Sequence, residues 1–122
     1  MNCQIEREEL VDLVGKRVGL FLTRVGLFSN LKGYNYLVCA VREVVLEPLI
    51  IHSITKRLYP KIAEIFNTTS VSVERNIRNA IEIACNKGKL YTVANACYNA
   101  NFTKYEKPTN GEFIAFLASV IQ

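Results

Sequence analysis

The chain holds a single histidine, three prolines and no CxxC pair among its four cysteines. Cys3, Cys39, Cys85 and Cys97 are scattered, whereas zinc binding wants ligands paired at short spacing; reduced, mostly buried thiols are expected instead. His52 stands alone among aliphatic neighbours, with no Cys, Asp or Glu at motif spacing, and is read as a satisfied structural imidazole rather than a ligand or base. There is no Gly-rich loop to cradle phosphate, no paired catalytic carboxylates and no Cys–His arrangement. These absences argue against an enzyme, and no cofactor or metal is expected. No apolar run reaches the roughly 20 residues of a membrane span. The acidic start, with Glu6, Glu8, Glu9 and Asp12, is unlike a signal peptide. A cytosolic protein with no membrane partner is therefore expected.

What is present points to one globular unit. At 122 residues, half of them apolar, the chain can bury a single core but not two. Its net charge of +4 is modest, and the placement of that charge is more telling. Between Ser53 and Lys89 seven basic residues (Lys56, Arg57, Lys61, Arg75, Arg78, Lys87, Lys89) face three acidic ones (Glu64, Glu74, Glu82), an excess of four that equals the charge of the whole chain. Such a local cationic surface suits a phosphate backbone, because neutralising phosphates releases condensed counterions. It also suits an acidic protein partner.

Helical periodicity runs through most of the sequence. Residues 1–16 extend a helix, with Ile5, Leu10, Leu13 and Val14 at mixed helical spacing. The run RVGLFLTRVGLF, Arg17 to Phe28, is a buried core helix ending near Gly26. Ser29 or Asn30 can cap the next helix, on which Leu31, Tyr34, Leu37, Val38, Val41 and Val45 keep an apolar face up to a boundary at Glu47-Pro48. Ser53 to Leu58 adds a helical turn or two, with Ser53 or Thr55 as cap and Tyr59-Pro60 separating it from the next helix. Leu90 to Tyr98 is a further short helix and Asn99 to Pro108 a polar loop. Thr109-Asn110-Gly111-Glu112 is a capping-box pattern opening the last helix, whose Phe113, Ile114, Phe116, Leu117 and Val120 close the core.

The segment from Pro60 to Lys87 organises the rest. Ile62, Ala63 and Phe66 recur at helical spacing, with Ala63 small where a second helix must cross closely. Asn67 tolerates a left-handed backbone at the turn, and Thr68, Thr69 or Ser70 can cap the second helix. On that helix Val73, Ile77, Ala80, Ile81 and Ala84 fall on one side, and Val71, Arg75, Arg78, Asn79, Glu82 and Asn86 roughly opposite. The spacing predicts a helix-turn-helix over about 60–87. Its outer face carries Arg, which matches guanine bidentately, and Asn, which matches adenine. Solvated Arg and Asn on an ordinary helix face fit the same residue types.

The run SITKRLYPKIAEIFNTTSVSVERNIRNAIEIA, Ser53 to Ala84, supported by LKGYNYL at Leu31 to Leu37 and KPTNGEFIAF at Lys107 to Phe116, resembles the C-terminal DNA-binding effector domain of the sporulation master response regulator, the stage zero sporulation protein A family. The resemblance covers residues 17–122 and leaves 1–16 as a leader without a family match. It implies an all-α, compact multi-helix domain of about six helices containing a helix-turn-helix, and a sequence-specific transcription factor of an endospore-forming bacterium. In that family a receiver domain with its phosphorylation site precedes the effector domain. Both a free-standing relative and a segment of a longer regulator fit the short leader here.

By the same resemblance, DNA contacts come from the start and outer face of the second helix. Glu74, Arg75 and Arg78 match the family pattern, and Lys104 and Lys107 occupy its basic loop. Ser72 stands where better-known members carry Arg, and Asn79 where they carry His. Arg75 is assigned to a base edge, Arg78 to base or phosphate, and Lys56, Lys61, Lys104 and Lys107 to the backbone. Glu74 accepts from a cytosine amino group or orients an arginine, an i,i+4 pair with Arg78 being the simpler alternative. The family also implies duplex DNA bound as tandem copies, hence a homodimer on DNA, with RNA polymerase as a protein partner. The rival reading is a non-enzymatic protein-binding module acting on the full-length regulator or another partner.

Overall fold

A computed structural model of the chain describes residues 3–98, 102 and 106–121. Among the described residues there are six α-helices and no strand: α1 (Cys3–Arg24), α2 (Lys32–Leu46), α3 (Tyr59–Ile65), α4 (Ser70–Asn86), α5 (Lys89–Tyr98) and α6 (Asn110–Ile121). A 3-10 turn, Pro48–His52, and a π-type turn, Ile54–Leu58, join α2 to α3. The all-α expectation therefore holds. No described helix is long and apolar enough to cross a membrane.

Residues before and after position 16 lie on one continuous helix, α1. Val14, Val18, Phe21, Leu22 and Val25 repeat at helical spacing and are buried. The helix stops because Gly26 takes φ 94°, a left-handed backbone that costs a glycine little. Its N–H then reaches Thr23 O at 3.0 Å while Leu27 N–H reaches Leu22 O at 2.9 Å, closing a Schellman motif.

Helix α2 lies at the centre, packed against α1, α3, α4 and α6. Its buried set is Gly33, Tyr36, Leu37, Cys39, Ala40, Val41 and Val44, with Leu31, Tyr34, Val38 and Val45 partly covered. That set is wider than the single face expected, because neighbours approach from several sides. The closest approach is to α4: a Cβ on Gly33 would overlap the Asn76 carbonyl oxygen and stand 2.7 Å from the Ala80 Cβ. The small residue that matters most for a helix crossing is thus Gly33. Ala63 is buried between α3 and its neighbours, but Phe66, expected on the same inner face, is exposed and meets Tyr36 edge-on at 5.1 Å.

Several expected caps are replaced. Neither Ser29 nor Asn30 caps α2; the N-cap position falls on the extended Leu31, and Asn35 Nδ2 instead donates to Ser29 O at 2.9 Å. Half-buried Leu31 is held against the core, which leaves the preceding polar side chains too far back. No side chain caps the turn after Ser53, whose carbonyl accepts from Arg57 N and Leu58 N at 2.8 and 3.2 Å. Tyr59-Pro60 does not separate that turn from α3, since Leu58 already has helical dihedrals and the chain runs straight on. His52 is exposed at the end of the 3-10 turn while Ile50 takes the inward position, and it makes no hydrogen bond with a described residue, so the satisfied structural imidazole expected from the sequence is not found.

The final helix matches its sequence pattern closely. Thr109 N–H donates to Glu112 Oε1 at 3.0 Å and Glu112 N–H to Thr109 Oγ1 at 3.1 Å, a reciprocal capping box. Behind it Phe113, Ile114 and Leu117 are fully buried, and Phe21 packs against Phe116 at 5.6 Å. Cys39 is buried and Cys85 half-buried, both as free thiols, and burial pushes the Cys39 thiol up to about 11. The side chains of Cys3 and Cys97, and most of the loop before Pro108, lie outside the described part of the structure.

Gly33→Ala is expected to destabilise the fold by about 1–3 kcal/mol, because the obstacle is backbone and cannot swing aside; thermal denaturation measures it. Thr109 holds the Glu112 carboxyl below its ordinary value by donating backbone and side-chain hydrogen bonds. The stability this provides is complete at neutral pH and is lost as pH falls through the folded-state pKa. Glu112→Gln should flatten that part of the acid denaturation curve.

Candidate nucleic-acid interface

Helices α3 and α4 meet across a short turn whose geometry is set by two side chains. Asn67 takes φ 52°, and Thr68 N–H donates to Ala63 O at 2.9 Å, so α3 ends as α1 does, with asparagine in the place of glycine. Thr69 is the N-cap of α4: its Oγ1 accepts from Ser72 N–H at 3.1 Å, which decides among the three candidate hydroxyls. Lys87 and the left-handed Gly88, φ 72°, end α4.

The two faces of α4 separate as its sequence predicts. Val73, Ile77, Ala80, Ile81 and Ala84 are buried, while Val71, Arg75, Arg78, Asn79, Glu82 and Asn86 lie on the outer side. Burial of the inner face against α2 and α3 fixes which side looks outward. Arg75 and Asn79 stand one turn apart on the outer side, and neither makes a hydrogen bond or ion pair with another described residue. Their donors are available to a ligand.

The other candidates differ in how far the fold already engages them. Arg78 donates to Glu74 in an i,i+4 ion pair, the simpler of the alternatives for that carboxylate. Ser72 is half-buried, and its Oγ accepts from Asn76 Nδ2 at 3.2 Å. Lys61 lies 2.8 Å from Glu43 Oε2, and this hydrogen bond raises its pKa. Lys56 on the π-type turn and Lys107 before α6 are exposed and make no hydrogen bond or ion pair with a described residue; Lys104 lies outside the described residues.

The cationic excess read from the sequence is therefore thinned by the fold. Arg57 is paired with Glu47 at 2.5 Å, which holds that carboxyl below its usual range. Lys87 donates to Gly26 O at 2.7 Å and lies over the Phe28 ring, serving as a clasp between the ends of α4 and α1. Of the seven basic residues in the segment, Lys56, Arg75 and Lys89 stay outside such contacts.

A cleft of about 530 Å³ opens beside the outer face, lined by Tyr59, Glu74, Arg78, Lys107 and Asn110 among others. Asn110 Nδ2 donates to Tyr59 Oη at 3.0 Å and to Glu74 O at 3.1 Å. It thereby ties the start of α6 to the starts of α3 and α4. Read from the sequence alone, Asn110 is a capping-box neighbour; only the fold brings it to α4. Among the described residues no group of three or more His, Cys, Asp or Glu could hold a metal ion.

The family model described as the sporulation initiation factor Spo0A C terminal matches residues 18–121, and the chain belongs to that family. The family is the DNA-binding effector domain of the sporulation regulator, a regulatory domain and not a known enzyme family. The match takes in α2 to α6 and the second part of α1.

Asn110→Ala is expected to cost about 1–3 kcal/mol, since two acceptors lose their donor at once. Chemical denaturation measures the loss, and amide exchange should quicken first at the beginning of α4.

Proposed function

We propose that this member of the Spo0A C-terminal family is a sequence-specific regulator of transcription in sporulation control that binds duplex DNA. Helices α3 and α4 act as a helix-turn-helix, with the outer face of α4 in the major groove. The observation that carries the reading is the pairing of Arg75 with Asn79 on an outward face, unengaged by the fold, in a chain of a DNA-binding family.

In this reading Arg75 takes a guanine edge through two parallel N–H donors, and Asn79 takes adenine. Arg78, oriented by Glu74, serves a base or a phosphate. Lys56 and Lys107 hold the backbone, together with Lys104. Lys61 contributes less, because Glu43 already compensates it. Ser72 supplies one hydroxyl, already shared with Asn76, where an arginine would supply a bidentate pair. Discrimination at one base position is relaxed as a result. The domain acts without catalysis, in the cytoplasm, as copies bound to tandem sites and in contact with RNA polymerase.

One observation favours the rival reading of a protein-binding module. Ile65, Phe66 and Val71, close in sequence around the turn, are 56%, 41% and 64% exposed, and apolar side chains gain more from a protein surface than from phosphate. Selection of bound oligonucleotides from a random duplex pool separates the two. Enrichment of a defined site, affinity that falls steeply with salt, and a loss of about 1–3 kcal/mol of discrimination in Arg75→Ala are the expected results. Lys107→Ala should instead weaken all sequences alike and make the salt dependence shallower. No enrichment together with a flat salt response would contradict DNA binding.

A further inference from the structure

Three leucines on α1 remain largely in solvent: Leu10, Leu13 and Leu20 keep 44%, 45% and 54% of their surface. At about 100° per residue they share one arc of the helix, beside the arc of Val14, Val18, Phe21, Leu22 and Val25 that faces the core. Separations of three and seven residues are those of a coiled-coil seam.

Charge along α1 is divided in the same direction. Glu6, Glu8, Glu9 and Asp12 occupy the first half, with Arg7 the exception, and Lys16, Arg17 and Arg24 the second. Glu9 and Lys16 flank the leucines on the same side, are exposed, and form no ion pair with a described residue.

We propose that α1 is a self-association surface that takes a second copy of the chain in antiparallel orientation. With Leu10 of each copy against Leu13 of the other, Glu9 of each copy lies beside Lys16 of the other, twice over. A parallel pairing would carry Glu9 and Lys16 of the two copies to opposite flanks of the seam, facing the buried Val14 and Phe21 of the other copy and gaining no ion pair, so the placement of charge selects the antiparallel arrangement. Such a contact is isologous and closes at two copies. Most of the residues involved precede position 18, where the family match begins, so the surface does not depend on the DNA reading.

Sedimentation equilibrium of the full chain without DNA tests the proposal. A dimer is expected. Leu13→Glu should weaken it by about tenfold or more, with the helical circular dichroism unchanged because the side chain is half outside the fold. Glu9→Lys and Lys16→Glu should each weaken it about fivefold, and the two together in one chain should restore it. A monomer at every concentration, or a dimer indifferent to Leu13→Glu, would overturn the proposal. Weakening by single charge changes that the double change fails to restore would overturn it as well, since that outcome excludes the antiparallel pairing.

Discussion

The close crossing of α2 on α4, made possible by Gly33, is the constraint on which the rest of the structure depends. With the Asn76 carbonyl and the Ala80 methyl against the α2 backbone, α4 cannot rotate about its axis without a clash. That fixes the inner arc of Val73, Ile77, Ala80, Ile81 and Ala84 and, by exclusion, presents Arg75 and Asn79 outward. Close packing of this kind transmits position rather than charge: the outer residues are placed by a contact on the opposite side of their own helix.

Electrostatics then selects among the cations. Lys61 and Arg57 are matched to Glu43 and Glu47, carboxylates at the end of α2 and just after it, and Arg78 is matched within α4. These partly exposed pairs contribute little to stability, but they lower the field that a ligand meets at those points. Arg75, Lys56 and Lys107 make no ion pair with a described residue, and they lie on α4, on the turn before α3 and just before α6 respectively. Asn110 links the same three regions through Tyr59 and Glu74, so the surface is held as one piece.

Much of this was legible in the residues because it is local. Asn67, Gly26 and Gly88 mark helix ends through dihedrals that few other residues accept, Thr109 and Glu112 announce a capping box, and the two faces of α4 arise from its period. The less legible features are those created by contact between distant segments. Nothing around Gly33 in the sequence says that a backbone carbonyl 43 residues later will lie against it. The Lys61–Glu43 and Lys87–Gly26 contacts likewise join separate elements, so a count of charges along the chain overstated the free cationic surface. His52 misled for a related reason: aliphatic neighbours in sequence are not neighbours in space on a 3-10 turn, where Ile50 turns in and the imidazole turns out.

Whether α4 meets DNA through its outer face is tested most directly by monitoring backbone amide chemical shifts while duplex DNA carrying a selected site is titrated into the protein. The expected result is a set of shifts concentrated from Ser70 to Glu82 and around Lys56 and Lys107, shrinking as salt is added. Shifts confined to α1 or to the Ile65–Phe66 corner, or none at a concentration that saturates binding, would contradict a groove-reading α4.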